Sequence, residues 1–417
     1  MTSTITAHQA QLRSADAPQQ APAEVAEQSA TVAHDVLSVT PRRRPSLLAA
    51  AIVGFVLLGI ALLLVVGYFL LALGPGLSFI GGLLALIPLT IVVLGVRWID
   101  RWEPEPRIAL VLAFLWGATA SILIALFVDV AASDWIAASG GDTNLTVFFQ
   151  AAVQAPIVEE VAKGLGLLII YLVARRYFDG PVDGIVYAAM IAAGFAFTEN
   201  IQYFGLQLFE SGALDGAVIE IFFIRGILAP FSHVMFTACI GFAIGLAARK
   251  GTVFGGIGAL LLGLIPAILL HAFWNGVLFF IYDFYAYYVL IQVPMFAVAV
   301  GIVLYLRNRE QKMTRLRLGE YAAAGWFNAD EVATLGTSGG RRQAIAWARP
   351  RGLGDVMKAY IRDATHLAFA RNRIVTGRDR IGSQHDEALL LQKLTESRRA
   401  LMAATPVERR PAAAPTA

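Results

Sequence analysis

The sequence predicts an all-α fold, a polytopic helical membrane protein, and three observations carry that prediction. Of 417 residues, 57% are hydrophobic and only 15% charged, with a mean hydropathy of +0.65; soluble domains carry about 25% charged residues. The apolar residues fall into about eight runs of spanning length, taking roughly 18 residues as the minimum. Lys and Arg between those runs alternate between abundance and absence, as membrane topology requires. A net charge of +3 and a pI near 9.0 do not indicate a nucleic-acid partner, because the basic excess is small and sits beside the apolar runs. The single cysteine, Cys239, lies in an apolar run and excludes both a disulfide framework and a cysteine-rich metal site.

Residues 1–45 are rich in Ala, Gln and Ser and read as a disordered tail. No short apolar segment with a cleavage site stands near the start, so no signal peptide is expected. The spans expected are 46–73, 76–96, 107–131, 147–174, 182–206, 222–247, 253–281 and 284–306. Together they make 46–306 the membrane domain. Arg42, Arg43 and Arg44 before the first span place the N-terminus in the cytoplasm. Alternating from there, the inside loops carry Arg97, Arg101 and Arg107, then Arg175 and Arg176, then Arg249 and Lys250, and Arg307, Arg309, Lys312 and Arg315 follow the last span. The outside loops carry neither Lys nor Arg, with Arg225 the nearby exception. Eight spans with both termini cytoplasmic satisfy every loop; an odd number would not. The C-terminal tail, 307–417, is mixed polar. It holds helical candidates at 334–352 and 383–404, the second placing Leu389, Leu390, Leu394 and Leu401 on one face.

The fourth span carries Glu159, Glu160 and, one turn on, Lys163. A carboxylate at bilayer depth costs roughly 2.5–3.5 kcal/mol on insertion scales, so two adjacent ones call for a role. Neighbours on a helix are about 100° apart, and Lys163 is within ion-pair reach of both. A structural salt bridge would leave one glutamate uncompensated. An unpaired buried carboxylate has a raised pKa, which suits a general base near neutral pH. Glu199, with Phe195 one turn before it, is a third acid in an apolar run. It reads either as part of the same site or as a helix-end carboxylate reaching the outer interface.

Of six histidines, only His233 and His271 lie in spans, and Asn275 follows His271 by one turn on the same face. Counting about 1.5 Å per residue, Glu159 and His233 lie roughly 18 and 16 Å from the outer ends of their spans. Glu199 and His271 each lie roughly 25 Å from the inner ends of theirs. Four spans therefore bring ionisable groups to mid-membrane or just outside it. Pro156, Pro230 and Pro266 precede Glu159, His233 and His271 by three to five residues. Helix breaks there need protein or cavity water to satisfy the freed carbonyls, which implies a wet pocket.

Taken together, EEVAK at 159–163, FAFTEN at 195–200, the histidine of PFSHVMF at 233 and HAFWN at 271–275 resemble the PrsW family of intramembrane metalloproteases. That family is distantly related to the CAAX-prenyl and bacteriocin-processing membrane proteases. WIDRWEPEP at 98–106 also looks like the family. The resemblance implies a peptidase of the cell membrane acting on single-span membrane-anchored regulators such as anti-sigma factors. It implies Glu159 or Glu160 as general base, and His271 as the group that orients water or binds metal. His233 and Asn275 would stabilise the oxyanion, with Lys163, Glu199 and Phe195 in support. The metal implied is a divalent ion such as zinc, with Glu160, His233 and His271 as ligands. The chain lacks HExxH, however, and a metal-free glutamate mechanism uses the same residues.

Buried acids and imidazoles also make proton relays, so a proton- or ion-coupled transporter is the competing prediction. No pair of pseudo-symmetric halves with matched breaks supports it. A non-catalytic scaffold whose tail binds a partner is the third.

Overall fold

The computed structural model describes residues 45–139, 143–174, 178–249, 252–378 and 380–403. The expected N-terminal tail, up to residue 44, and the last residues of the chain, 404–417, lie outside them. Every regular element among the described residues is helical. In chain order they are α1 (Pro45–Ala72), α2 (Gly74–Ile99), α3 (Arg107–Leu115), α4 (Ile122–Ser139), α5 (Thr143–Phe149), α6 (Ala155–Ala174), α7 (Pro181–Ser211), α8 (Gly216–Phe222), α9 (Ser232–Ala248), α10 (Val253–Val277), α11 (Phe284–Tyr287) and α12 (Val293–Ala323). Four short π-helical segments join α3 to α4, α5 to α6 and α11 to α12, and extend α8: Trp116–Ser121, Gln150–Gln154, Tyr288–Gln292 and Phe223–Leu228. Such segments recur at functional sites because one wider turn re-aims the side chains that follow it.

Among the described residues, seven helices are long and apolar enough to cross a membrane: Ile52–Ala72, Gly74–Ile99, Arg107–Ile136, Pro181–Ser211, Gly216–Ala248, Val253–Val277 and Phe284–Ala323. The fourth expected span, 147–174, is not among them, yet it is helical from Thr143 to Ala174. Glu159, Glu160 and Lys163, three charges within two turns, are what separate it from those seven. Of the expected proline breaks, Pro230 falls in the gap between α8's π extension and α9, and Pro156 opens α6 just after its π segment. Pro266 lies inside α10, which stays helical around it.

The bundle is built around α7. Its most apolar stretch is 83% buried, against 11–33% for the other six spans. Close contact along α7 depends on glycine. A Cβ on Gly184 would stand 2.0 Å from the carbonyl oxygen of Gly241 on α9, and one on Gly241 would stand 2.3 Å from that of Gly184. One turn later a Cβ on Gly245 would stand 2.4 Å from the Gly180 carbonyl oxygen, and further along α7 one on Gly194 would stand 2.0 Å from that of Phe114 on α3. Between lipid-embedded helices, where apolar burial gives little driving force, such backbone approach supplies the packing energy. Leu167, Tyr171, Tyr187, Ile191, Ile240 and Leu264 then fill one core shared by α6, α7, α9 and α10. These four helices carry the candidate residues.

Past residue 306, α12 continues without a break to Ala323 and leads into α13 (Ala329–Leu335), α14 (Ser338–Ala348), α15 (Gly354–Val375) and α16 (Arg380–Ala403). Leu318, Tyr321, Phe327, Leu335, Ile361, Leu367, Leu394 and Leu401 form their common core. Leu394 and Leu401 face inward as their spacing predicts, with Leu390 packed beside them. The bundle is tied to the loops of the membrane domain. Arg373 and Arg378 pair with Asp179 at 2.6 and 3.2 Å, and Trp102 Nε1 donates to Thr314 at 3.1 Å. The Arg341 guanidinium lies 3.4 Å over the Trp102 ring.

Candidate active site

Glu159 and Glu160 follow the wide turn at Gln150–Gln154, so α6 turns both carboxylates into the bundle, where they are 7% and 0% exposed. Lys163, on the next turn, is fully buried. Its Nζ donates to Glu160 Oε1 at 2.8 Å and to Glu159 Oε2 at 3.2 Å. The same ammonium lies 3.2 Å from His233 Nδ1 and 3.9 Å from the centre of the Phe195 ring. Phe195 thus forms the apolar side of the lysine's cage. Thr237, one turn after His233 on α9, donates to Glu160 Oε2 at 2.8 Å.

The partners of the two histidines fix their tautomers. An ammonium only donates, so His233 Nδ1 accepts from Lys163, and its Nε2–H donates to Glu199 Oε2 at 2.9 Å. A carboxylate only accepts, so His271 Nδ1–H donates to Glu160 Oε1 at 3.1 Å. The unprotonated nitrogen is therefore Nδ1 in His233, where it accepts from Lys163, and Nε2 in His271. Both face the same atom: Glu159 Oε2 is 3.9 Å from His233 Nδ1 and 4.0 Å from His271 Nε2. Phe236 stacks on the His271 ring at 4.7 Å and holds its plane. A carboxylate on the far nitrogen orients an imidazole and raises its basicity, and here each imidazole has one.

Glu199 is held in turn by Arg225 of the Phe223–Leu228 π segment, whose Nη2 lies 2.6 Å from Glu199 Oε2. Arg225 Nε donates to Asn200 at 3.3 Å, and its guanidinium lies 3.7 Å over Tyr203. Glu199 is thus bound within the bundle and is not a helix-end carboxylate reaching outward. Of the residues picked from sequence, Glu159, Glu160, Lys163, Phe195, Glu199, His233 and His271 form one connected cluster. Asn275 Nδ2 instead donates to the Ala151 carbonyl at 3.0 Å, tying α10 to the π segment before α6. Arg225 and Thr237 were not singled out from sequence. Arg225 left a signal, as the lone basic residue on the outer side, but only the fold brings it to Glu199. Thr237 left none, since hydroxyls are unexceptional in membrane helices.

One donor atom from each of Glu159, His233 and His271 lies within 4.8 Å of the others. Two imidazoles and a carboxylate are a donor set that suits zinc with a position left open, and both imidazoles already have the outer carboxylates that such a site needs. The geometry gathers Glu159 with the histidines, where the sequence pointed to Glu160. Glu160 has both its oxygens engaged, by Lys163, His271 Nδ1–H and Thr237.

A multi-span helical protein that converges two carboxylates and two oppositely oriented imidazoles on one buried point belongs to the class of membrane-embedded hydrolases. More particularly, the chain belongs to the PrsW family of intramembrane metalloproteases, whose family model matches residues 105–310. It is similar to protease PrsW of Clostridioides difficile (strain 630), with 32% identity over 196 residues, which are 47% of this chain and 78% of the relative. Protease PrsW of Oceanobacillus iheyensis is 30% identical over 169 residues, 40% of this chain and 71% of the relative. Protease PrsW of Bacillus subtilis (strain 168) is 31% identical over 131 residues, 31% of this chain and 55% of the relative. No solved structure matches the chain. The protein is a membrane-embedded peptidase.

Proposed function

We propose that the peptidase acts through Glu159, with His233 and His271 as its partners, on single-span membrane proteins such as anti-sigma factors. One observation carries the assignment: the unprotonated nitrogens of both histidines face Glu159 Oε2 at 3.9 and 4.0 Å. The two glutamates are then unequal. Glu159 keeps an exposed edge and faces the reacting water, whereas Glu160 holds Lys163 and the His271 proton in place. A bound divalent metal would be held by Glu159, His233 and His271, and it would supply a Lewis acid and an acidified water. Lys163 Nζ, 3.2 Å from Glu159 Oε2, is the preorganised positive charge nearest the point where an oxyanion develops. Glu199 keeps the His233 proton on Nε2, and Arg225 fixes Glu199. Asn275 braces α10 against the π segment before α6.

The arrangement in the cell belongs to the same proposal. Residues 1–45 form a cytoplasmic tail, 46–306 the protease domain and 307–417 a cytoplasmic C-terminal region, with both termini inside. The Lys/Arg distribution among the loops supports it.

Purified protein in detergent or liposomes, assayed on a single-span reporter, tests the chemistry. Glu159→Ala, His233→Ala and His271→Ala should each lower cleavage by about a thousandfold or more while the protein stays folded, the scale set by loss of a group in direct contact with the reaction. Full cleavage by Glu159→Ala or His271→Ala would refute the assignment.

A further inference from the structure

We propose that Lys163 is a built-in competitor for the metal, so that its ammonium must leave two of the three donor atoms before an ion can bind. The inference rests on the metal-binding reading of Glu159, His233 and His271 given above. Lys163 Nζ lies 3.2 Å from Glu159 Oε2 and 3.2 Å from His233 Nδ1, and those two atoms are 3.9 Å apart. The ammonium therefore sits between them. That 3.9 Å gap is also the gap an ion would bridge, with zinc lying roughly 2.0–2.2 Å from each donor. At those bond lengths the ion would stand within about 3.5 Å of Nζ, wherever it lay around the line joining the two donors. Two positive charges at that separation in a buried site repel strongly.

The surroundings allow the lysine to give way without losing its charge partner. Its shortest contact is to Glu160 Oε1, at 2.8 Å, and Glu160 lies outside the donor set. Thr237 holds the other oxygen of Glu160, so Glu160 stays in place as the lysine's anchor. Loading then exchanges the Lys163 contacts to Glu159 and His233 for bonds to the ion, while the Lys163–Glu160 pair remains. The site has one cationic occupant at a time, and the lysine keeps Glu159 and His233 apart from adventitious ions when the metal is scarce.

Equilibrium zinc binding to the purified full chain, read by competition with a chromophoric chelator, tests the inference without an activity measurement. Lys163→Met removes the charge and keeps the length, and it should bind zinc at least about tenfold more tightly than the unaltered protein. Lys163→Arg keeps the charge and should bind no more tightly. Lys163→Gln, neutral and shorter, should move in the same direction as Lys163→Met and replaces it if that variant does not fold. His271→Ala sets the background. Equal affinity in the unaltered protein and the neutral variants, both above that background, would overturn the competition and leave the metal site standing. Binding at the His271→Ala level in every variant would overturn the metal reading itself, and the competition with it.

Discussion

Around Lys163, three buried or half-buried glutamates meet two cations and two imidazoles, and each carboxylate has a basic partner within 3.2 Å. Around Glu105, where the C-terminal bundle meets the loops at 100–106 and 178–183, acids gather without matching cations. Asp179 is paired with Arg373 and Arg378. Among the described residues, Asp100, Glu103 and Glu105 have no ion-pair partner, and Glu105 instead accepts from the Tyr187 hydroxyl at 2.6 Å. Burial first, and then the charge of Asp179, pushes Glu103 well above the usual carboxylate range. Burial and the charge of Asp183 do the same to Glu105, against the opposing Tyr187 hydrogen bond. The first cluster buries charge by compensating it, and the second by favouring the protonated form. A cluster of compensated charge can present ionised groups to a substrate. A cluster of favoured protons can join two parts of a protein at the cost of becoming sensitive to pH.

The largest effect expected is from Glu160→Ala. It strips Lys163 of its shortest contact and frees Thr237 and the His271 Nδ1 proton, all of them buried. Removing one partner of a buried pair costs about 3–5 kcal/mol, so thermal unfolding in detergent should shift down markedly, and cleavage should fall with it. Glu159→Ala leaves the Lys163–Glu160 pair intact and should cost less stability than Glu160→Ala while abolishing cleavage. If Glu159→Ala unfolds and Glu160→Ala remains active, the two roles are exchanged.

Next in size is Asp179→Ala, which removes the acid that Arg373 and Arg378 share and leaves Arg373 its 3.6 Å contact to Asp386. A local loss of about 2–3 kcal/mol is expected, the scale of a charged hydrogen-bonded pair losing one member. It should speed hydrogen exchange in α15 and α16 and leave α6 and α9 unchanged. Exchange in α15 at the rate of the unaltered protein would show that the seam is held elsewhere, at Trp102 and Arg341.

The difference between the clusters also explains what sequence could reveal. Glu159, Glu160, His233 and His271 were legible because a charge or imidazole in an apolar run conflicts with its surroundings, and the conflict has few resolutions. Their common depth followed from the rise per residue alone. Arg225 stood out only as an exception to topology, since its pairing with Glu199 needs α8 and α7 side by side. Asn275 shares a face with His271 by spacing, yet its amide reaches back to Ala151, because a helix face is broad enough to contact two neighbours. The choice of Glu159 over Glu160 as the carboxylate facing the histidines depends on side-chain direction, which periodicity does not fix. The seam was the least legible part. Its acids stand in loops where acidic residues are ordinary, and the arginines that meet Asp179 lie far along the chain, at 373 and 378.

The effect most specific to the seam concerns Asp100. Burial pushes its carboxyl up to about 7 from an ordinary 3.8, against the opposing hydrogen bond from the Glu105 backbone. Between those values the folded protein holds a proton that the unfolded chain releases. The folded state therefore binds more protons than the unfolded one, and stability falls as pH rises through this window. The contribution of Asp100 is most favourable below about pH 4 and is lost by the time pH passes about 7. Asp100→Asn keeps a neutral acceptor for the Glu105 N–H and cannot ionise. Thermal midpoints of the two proteins should therefore converge near pH 4, with the variant progressively more stable up to about pH 7 and a constant gap above it. Parallel curves from pH 4 to 8 would mean that Asp100 is charged in the fold throughout, and the seam would then bury its acids as the core cluster does, by compensation.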